Sequence, residues 1–203
     1  MENERSCKLS EAPQKENRQI YLGNFKESAI DALAEIINDF YISHNDGHPS
    51  RSYIVERAKD IINNVNEISK NNSKIEFGIY KKDNNVLVGI IGLRDIKKNE
   101  TGEIGYSLSK KYVGNNYATD AVGAMLYYAF ESLKLQKVFA YVLDSNIASQ
   151  NILIKNGFKE EQNNRRELKW YKKHLKVFIE KMYIISKNNY YKTRESSLEN
   201  IKR

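Results

Sequence analysis

The chain has 203 residues, 40% hydrophobic and 29% charged, a balance that excludes a disordered or fibrous polymer and provides for one core. Its formal net charge is +7, with the excess gathered in residues 155–203 while residues 1–154 are close to neutral. Cys7 is the single cysteine and has no intramolecular partner, no apolar run reaches the roughly 18–20 residues that span a bilayer, and the polar first residues lack a secretory pattern, so a cytoplasmic protein is expected.

Residues 1–18 are polar and charged and read as a flexible N-terminal arm. Ile20-Tyr21-Leu22 is a first short strand. Glu27–Tyr41 places apolar residues at 30, 33, 37 and 41, with Ile36 and Phe40 widening the stripe, which is helical spacing. Asn45-Asp46-Gly47-His48-Pro49 breaks the chain, and a second helix carries Ile54, Ala58, Ile61, Ile62, Val65 and Ile68 on one side. After the polar turn Ser69–Ser73, strands are predicted over Ile75–Tyr80 and Val86–Leu93. They are joined by the turn Lys82-Asp83-Asn84-Asn85, and a third strand, Glu103–Leu108, follows the Lys97–Gly102 turn.

The period then changes. Tyr117–Leu133 predicts a long helix, Val138–Leu143 a strand, and Ile147–Lys155 a short helix stopped by Asn156-Gly157. Glu167–Tyr171 and Phe178–Ser186 pair as a last hairpin. Residues 188–203 form a polar tail, expected to be frayed, in which Tyr190-Tyr191 offers an interaction patch. The mixed order predicts an α/β (α+β) domain over residues 19–187, one sheet covered by helices. His44, His48 and His174 show no ligand spacing, and no metal is expected. Trp170 and the fourteen tyrosines read as core and rim.

Two stretches carry chemistry. Glu103 to Ala121 runs from a strand through a Gly- and Asn-containing loop into a helix. Such a turn presents backbone N–H groups at a helix start, where they hold a pyrophosphate without a fixed cation. By itself it is also an ordinary strand-to-helix turn. Asp144 to Phe158 offers Asn146 or Ser145 as helix cap and Gly157 as stop, which by itself is equally capping and packing.

Together the quoted residues are more specific. Gly102-Glu103-Ile104-Gly105-Tyr106, Gly114-Asn115-Asn116-Tyr117-Ala118-Thr119-Asp120-Ala121, Asn146-Ile147-Ala148-Ser149 and Lys155-Asn156-Gly157-Phe158 resemble the GNAT N-acetyltransferases, and among them the ribosomal-protein alanine acetyltransferases. That branch shows Gly-Glu-Ile-Gly-Tyr, then Gly-x-Gly-Tyr-Ala-Thr-Glu-Ala, Asn-x-Ala-Ser and Lys-x-Gly-Phe. The likeness runs from about Val86 to Ser186. It departs at Val113, where the superfamily often has Gln or Arg, and at Asn116, where a second glycine is usual. Asparagine tolerates a left-handed backbone better than other non-glycine residues.

The resemblance implies the GNAT fold: a single mixed, largely antiparallel twisted sheet, splayed between the strands at 103–108 and 138–143 and flanked by helices. It implies acetyl-CoA as cosubstrate. The pantetheine arm would lie along Tyr106, Ser107 and Leu108, with Asn146 facing it. The pyrophosphate would rest on the amides of Val113, Gly114, Asn115, Asn116, Tyr117 and Ala118, with Thr119 in the same turn. A neutral amine would attack the thioester with Glu103 as general base and Glu161 as second choice. Ser149 or Tyr106 would protonate the leaving thiolate, and an N–H near Leu108 would polarise the carbonyl.

The acceptor is a primary amine, either a protein N-terminus such as that of a ribosomal protein or a small amine, and the enzyme a monomer or homodimer. Two other readings stand beside this one: a non-catalytic acyl-CoA-binding module that keeps the fold, and an RNA-binding protein acting through its basic tail. No RNA-binding strand signature accompanies that tail, so nucleic acid is not expected as a partner.

Overall fold

The computed structural model describes residues 19–44, 50–68, 73–171 and 175–201, with side chains except at 40–44, 64–68, 168–171, 175–176 and 196–201. The expected N-terminal arm with Cys7, the 45–49 breaker, His48 and His174 lie outside the described residues, and the side chains of His44 and Trp170 lie outside the described side chains.

Asparagine shapes the turns that build the sheet. Asn85, Asn99 and Asn116 all take the left-handed conformation, with φ of 57°, 58° and 60°. A side-chain amide tolerates that region better than most residues do. In the first of these turns Asn84 also accepts a hydrogen bond from the Val86 N–H at 3.2 Å.

The described residues begin with β1 (Ile20–Gly23) and a 3₁₀ turn (Glu27–Ala29), then α1 (Ile30–His44) and α2 (Arg51–Ile68). A meander follows of β2 (Ile75–Lys81), β3 (Leu87–Lys97) and β4 (Thr101–Leu108). Next come α3 (Tyr117–Tyr127), β5 (Lys137–Leu143), α4 (Ile147–Lys155), the long hairpin β6 (Lys159–Tyr171) and β7 (Leu175–Ser186), and α5 (Lys187–Ile201). The 7-stranded sheet has the order β1-β2-β3-β4-β5-β7-β6. Neighbours are antiparallel except β4 and β5, which are parallel and joined through α3.

Each face of the sheet has its own apolar layer. Leu33, Ile36, Ile54 and Ala58 of α1 and α2 close over Tyr80 and Leu87. On the other face Ala121, Val122, Met125 and Leu126 of α3, Leu153 of α4 and Tyr190 of α5 pack on Phe77, Ile91, Ile104 and Val138. Burying a large apolar side chain of this kind contributes about 1.5–3 kcal/mol.

Three expectations change. The long helix predicted to Leu133 ends as α-helix at Tyr127 and continues as a π turn, Tyr128–Ser132, closed by the Leu133 N–H on the Tyr128 carbonyl (3.1 Å). β6 begins at Lys159, well before Glu167. Its charged run lacks apolar alternation and is held by pairing with β7, with an irregularity between Glu161 and Arg165.

The tail expected to fray is α5. Tyr190 is 6% exposed and rests on Phe130 with ring centroids 5.0 Å apart, and the Tyr191 hydroxyl donates to Glu131. Two aromatic side chains dock a helix whose sequence is otherwise polar, so the tyrosines are an intramolecular anchor and not a free patch. Among the described residues no helix is long and apolar enough to cross a membrane.

Candidate active site

The two edges of β4 differ. Along one, β4 pairs with β3 from Lys97–Thr101 to Gly89–Leu108. Along the other, it pairs with β5 only from Thr101–Lys137 to Glu103–Phe139, although β4 runs on to Leu108 and β5 to Leu143. The strands therefore part beyond Glu103. The Ser109 N–H donates to Val88 O at 2.9 Å. Antiparallel alternation then directs the main-chain groups of Glu103 and Ser107 to β3, and those of Ile104, Tyr106 and Leu108 to the open edge. Tyr106 and Leu108 thus offer backbone groups to the gap, whereas Ser107 has only its side chain to offer.

Glu103 stands at the root of this gap. It is 2% exposed and its Oε1 accepts from Nη2 of Arg94, its cross-strand partner on β3. It is not a solvated edge carboxylate. That hydrogen bond raises the Arg94 pKa. Gly105 follows on the same face of the strand, is exposed, and has open space where a Cβ would stand.

On the opposite face the Tyr106 hydroxyl crosses to α4 and donates to the Ser149 carbonyl at 3.2 Å. Burial pushes the Tyr106 phenol up to about 12. Glu161 is exposed on β6 opposite Met182 and is not brought to Glu103 by any described contact.

The loop after β4 starts with Ser109, whose Oγ accepts from the Lys111 N–H at 3.4 Å and caps a 3₁₀ turn, Lys110–Tyr112. The chain then turns at Gly114, with φ of 90° and nothing within 4 Å of a Cβ position, and again at left-handed Asn116. Asn116 stands in the cap position of α3 but makes no side-chain cap bond. The first amides of α3 therefore lack an intrahelical partner and a side-chain cap. Val113 to Asn116 are exposed, while Tyr117 and Ala118 are buried and anchor the helix start.

Lys110 and Lys111 tie this loop to α1. The Lys110 N–H donates to Asp39 at 3.1 Å and the Lys111 ammonium to Glu35 at 2.8 Å. An open cavity of about 490 Å³ lined by Gln19, Lys81, Lys82, Asp83 and Tyr117 lies on the flank of the α3 start.

Helix α4 forms the remaining wall. Asn146 caps it, its Oδ1 accepting from the Ser149 N–H at 3.1 Å. Asn156 donates to Ile152 O at 2.9 Å and to Thr119 O at 3.2 Å, which links the end of α4 to the first turn of α3. Gly157 then leaves the helix with φ of 88°.

The structure thus links Tyr106, Ser149 and Asn146 by hydrogen bonds and ties the Thr119 turn to the end of α4, with Leu108 farther along the open edge of β4, whereas the Glu103 side chain lies buried on the other face at the root of the gap. Sequence reasoning missed Arg94 and Gln150, and took Asn156 only as part of the helix stop and of the quoted motif. A polar Gln150 three residues before buried Leu153, on the apolar side of α4, was a visible signal. Arg94, after an apolar run in β3, was another. Among the described residues no group of three or more His, Cys, Asp or Glu side chains gathers as a metal site.

Comparison with known proteins agrees with this fold. Residues 19–159 match the family model described as the acetyltransferase (GNAT) domain. A probable N-acetyltransferase of Bacillus subtilis (strain 168), YjcK, is 33% identical over 119 residues, 58% of this chain and 66% of that protein. The [ribosomal protein uS5]-alanine N-acetyltransferase of Escherichia coli (strain K12) is 23% identical over 99 residues, 48% of this chain and 51% of that one. The match therefore spans two thirds or less of either relative. In fold, the crystal structure of the microcin C7 self-immunity acetyltransferase MccE in complex with acetyl-CoA and AMP superposes with a TM-score of 0.70 at 17% identity, covering 89% of this chain and 99% of that one. With the family model covering more than half of it, the chain belongs to the GNAT acetyltransferase domain family.

Proposed function

We propose that the protein is an N-acetyltransferase that moves the acetyl group of acetyl-CoA to a primary amine in the groove between β4 and β5. The observation that carries the proposal is the halt of β4–β5 pairing at Glu103–Phe139, just before a loop whose amides stand uncapped at the start of α3. An extended arm with amide groups completes the open edge of β4 at Tyr106 and Leu108. A diphosphate accepts from the amides at Val113 to Thr119 and gains from the helix dipole.

The chemistry follows from the same residues. An alkylamine is mostly protonated near neutral pH and must lose a proton to attack. Glu103 takes it through water, using the oxygen not bonded to Arg94. The nitrogen adds to the thioester carbonyl, whose developing charge is met by the Leu108 N–H. The C–S bond then breaks and the nitrogen sheds its second proton, which replaces the one given to sulfur, leaving the neutral amide and a thiol. Tyr106, whose phenol stays protonated at neutral pH, or the Ser149 hydroxyl gives that sulfur a hydrogen bond and a proton.

A protein N-terminus is the acceptor we favour, supported by the likeness to a uS5-alanine N-acetyltransferase. Titration with coenzyme A, followed by thiol release with an alanine-terminated peptide and a polyamine, tests the proposal. Binding with turnover on the peptide is expected. Binding without turnover on any amine identifies a non-catalytic module, and no binding ends the assignment. Glu103→Gln is expected to slow turnover about a hundredfold with little change in coenzyme A affinity.

A further inference from the structure

Two facing strand edges with free hydrogen-bonding groups tend to zip together. β5 is paired with β7 along its length, from Lys137–Ser186 to Leu143–Glu180, and the side chain that ties its far end to α4 is Gln150. It is 7% exposed, and each of its polar atoms has a partner. Nε2 donates to the carbonyls of Leu143 (3.2 Å) and Asp144 (2.8 Å), at the end of β5. Oε1 accepts from the Tyr183 hydroxyl at 3.1 Å, and Tyr183 lies on β7 opposite Ala140 in the middle of β5. One amide therefore fastens the diverging end of β5 to α4 and to β7, using both of its hydrogens and its oxygen.

We propose that Gln150 is a positioning residue: it draws the carboxyl end of β5 onto α4 and so holds open the groove that receives the pantetheine arm. The inference rests on the acetyl-CoA reading for its ligand, but not for its geometry. Gln150 touches no substrate. It acts through the strand end that leads into Asn146, and through Ser149, the residue before it in α4.

Three substitutions separate positioning from simple stability. Gln150→Leu leaves two carbonyls and a buried hydroxyl without their partner. Gln150→Glu sets an oxygen against the carbonyls, and Tyr183→Phe removes the bond to Oε1 together with the hydroxyl's interaction with Glu160. Leu33→Ala, in the other apolar layer, serves as a control of comparable instability. Coenzyme A is titrated into each protein, and KM for acetyl-CoA and for the amine is measured.

The expected result for Gln150→Leu is a coenzyme A Kd and an acetyl-CoA KM raised about tenfold, with the amine KM within about twofold. Tyr183→Phe moves them about threefold, and Leu33→Ala leaves them in place. If Gln150→Leu does not fold, Gln150→Glu and Tyr183→Phe carry the same comparison.

A ligand-free crystal structure of Gln150→Leu, or of Gln150→Glu in its stead, gives a second readout. Strand pairing extended past Glu103–Phe139 supports the inference even if the wild-type protein binds no coenzyme A, a result that would sink only the ligand reading. An unchanged gap together with unchanged Kd and KM overturns it and leaves Gln150 a packing residue.

Discussion

The helices α3 and α4 begin in opposite ways. Asn146 caps α4, its side-chain oxygen taking the Ser149 N–H at 3.1 Å. Asn116 stands in the same position on α3, yet its side chain makes no cap bond and its backbone is left-handed, with φ of 60°. The same residue type thus finishes one helix start and leaves the other open. A cap contributes about 1 kcal/mol, which α3 forgoes. What α3 keeps is a first turn of amides without a side-chain cap, after an exposed loop, the arrangement an anion requires. The capped start positions a wall of the groove, and the uncapped start is the part suited to grip a ligand.

The largest expected effect breaks the open start. Gly114→Val puts a β-branched side chain at φ of 90°, a strain of about 1–3 kcal/mol. Because a Cβ there meets nothing within 4 Å, the fold survives. Coenzyme A affinity measured by calorimetry should fall at least about tenfold. Retained affinity would move the diphosphate elsewhere.

Breaking the capped start comes next. Asn146→Ala should lower unfolding free energy in urea by about 1 kcal/mol, with a smaller effect on coenzyme A binding than Gly114→Val. A variant that binds as poorly as Gly114→Val would give Asn146 a ligand contact beyond its cap.

Asn116→Gly sharpens the comparison with a smaller change. Glycine takes the left-handed conformation freely, so stability should hold or rise by up to about 1 kcal/mol, and coenzyme A affinity should hold or tighten. Clear weakening would mean that the Asn116 side chain takes part in binding.

The smallest effect concerns Tyr106, which holds the carbonyl of the residue whose amide Asn146 caps. Its phenol is pushed from 10.0 up to about 12 by burial, so it favours the folded state below the unfolded value. That contribution is lost as pH rises through the folded value. Stability measured against pH should therefore fall between about pH 10 and 12, and Tyr106→Phe should flatten part of the decline. An identical alkaline limb in the variant would assign the decline to other groups, among them Tyr191, which its hydrogen bond to Glu131 also raises to about 12.

Much of this was legible before any coordinates. The bounds of α4, Ile147 to Lys155, and its stop at Gly157 follow from capping and breaker chemistry. The left-handed turn at Asn116 was legible through the resemblance, which has a glycine there, since asparagine tolerates that backbone better than other non-glycine residues. The docking of α5 was not legible, since its sequence is polar and its anchor, Tyr190 on Phe130, joins residues far apart in the chain. Nor was the ion pair of Arg94 with Glu103, which depends on the register of β3 against β4.

The sequence by itself determined the order of the elements from β1 to β7, though not helix α5, and that a strand, a glycine–asparagine loop and a helix succeed one another at Glu103 to Ala121. Those outcomes depend on spacing and on turn residues a few positions apart. Only the tertiary structure decided where β4 lets go of β5, that Gln150 secures the freed end, and that Glu103 lies buried against Arg94. The reason is that strand register and buried polar pairing arise between segments, where each hydrogen bond finds its partner only after the layers have packed.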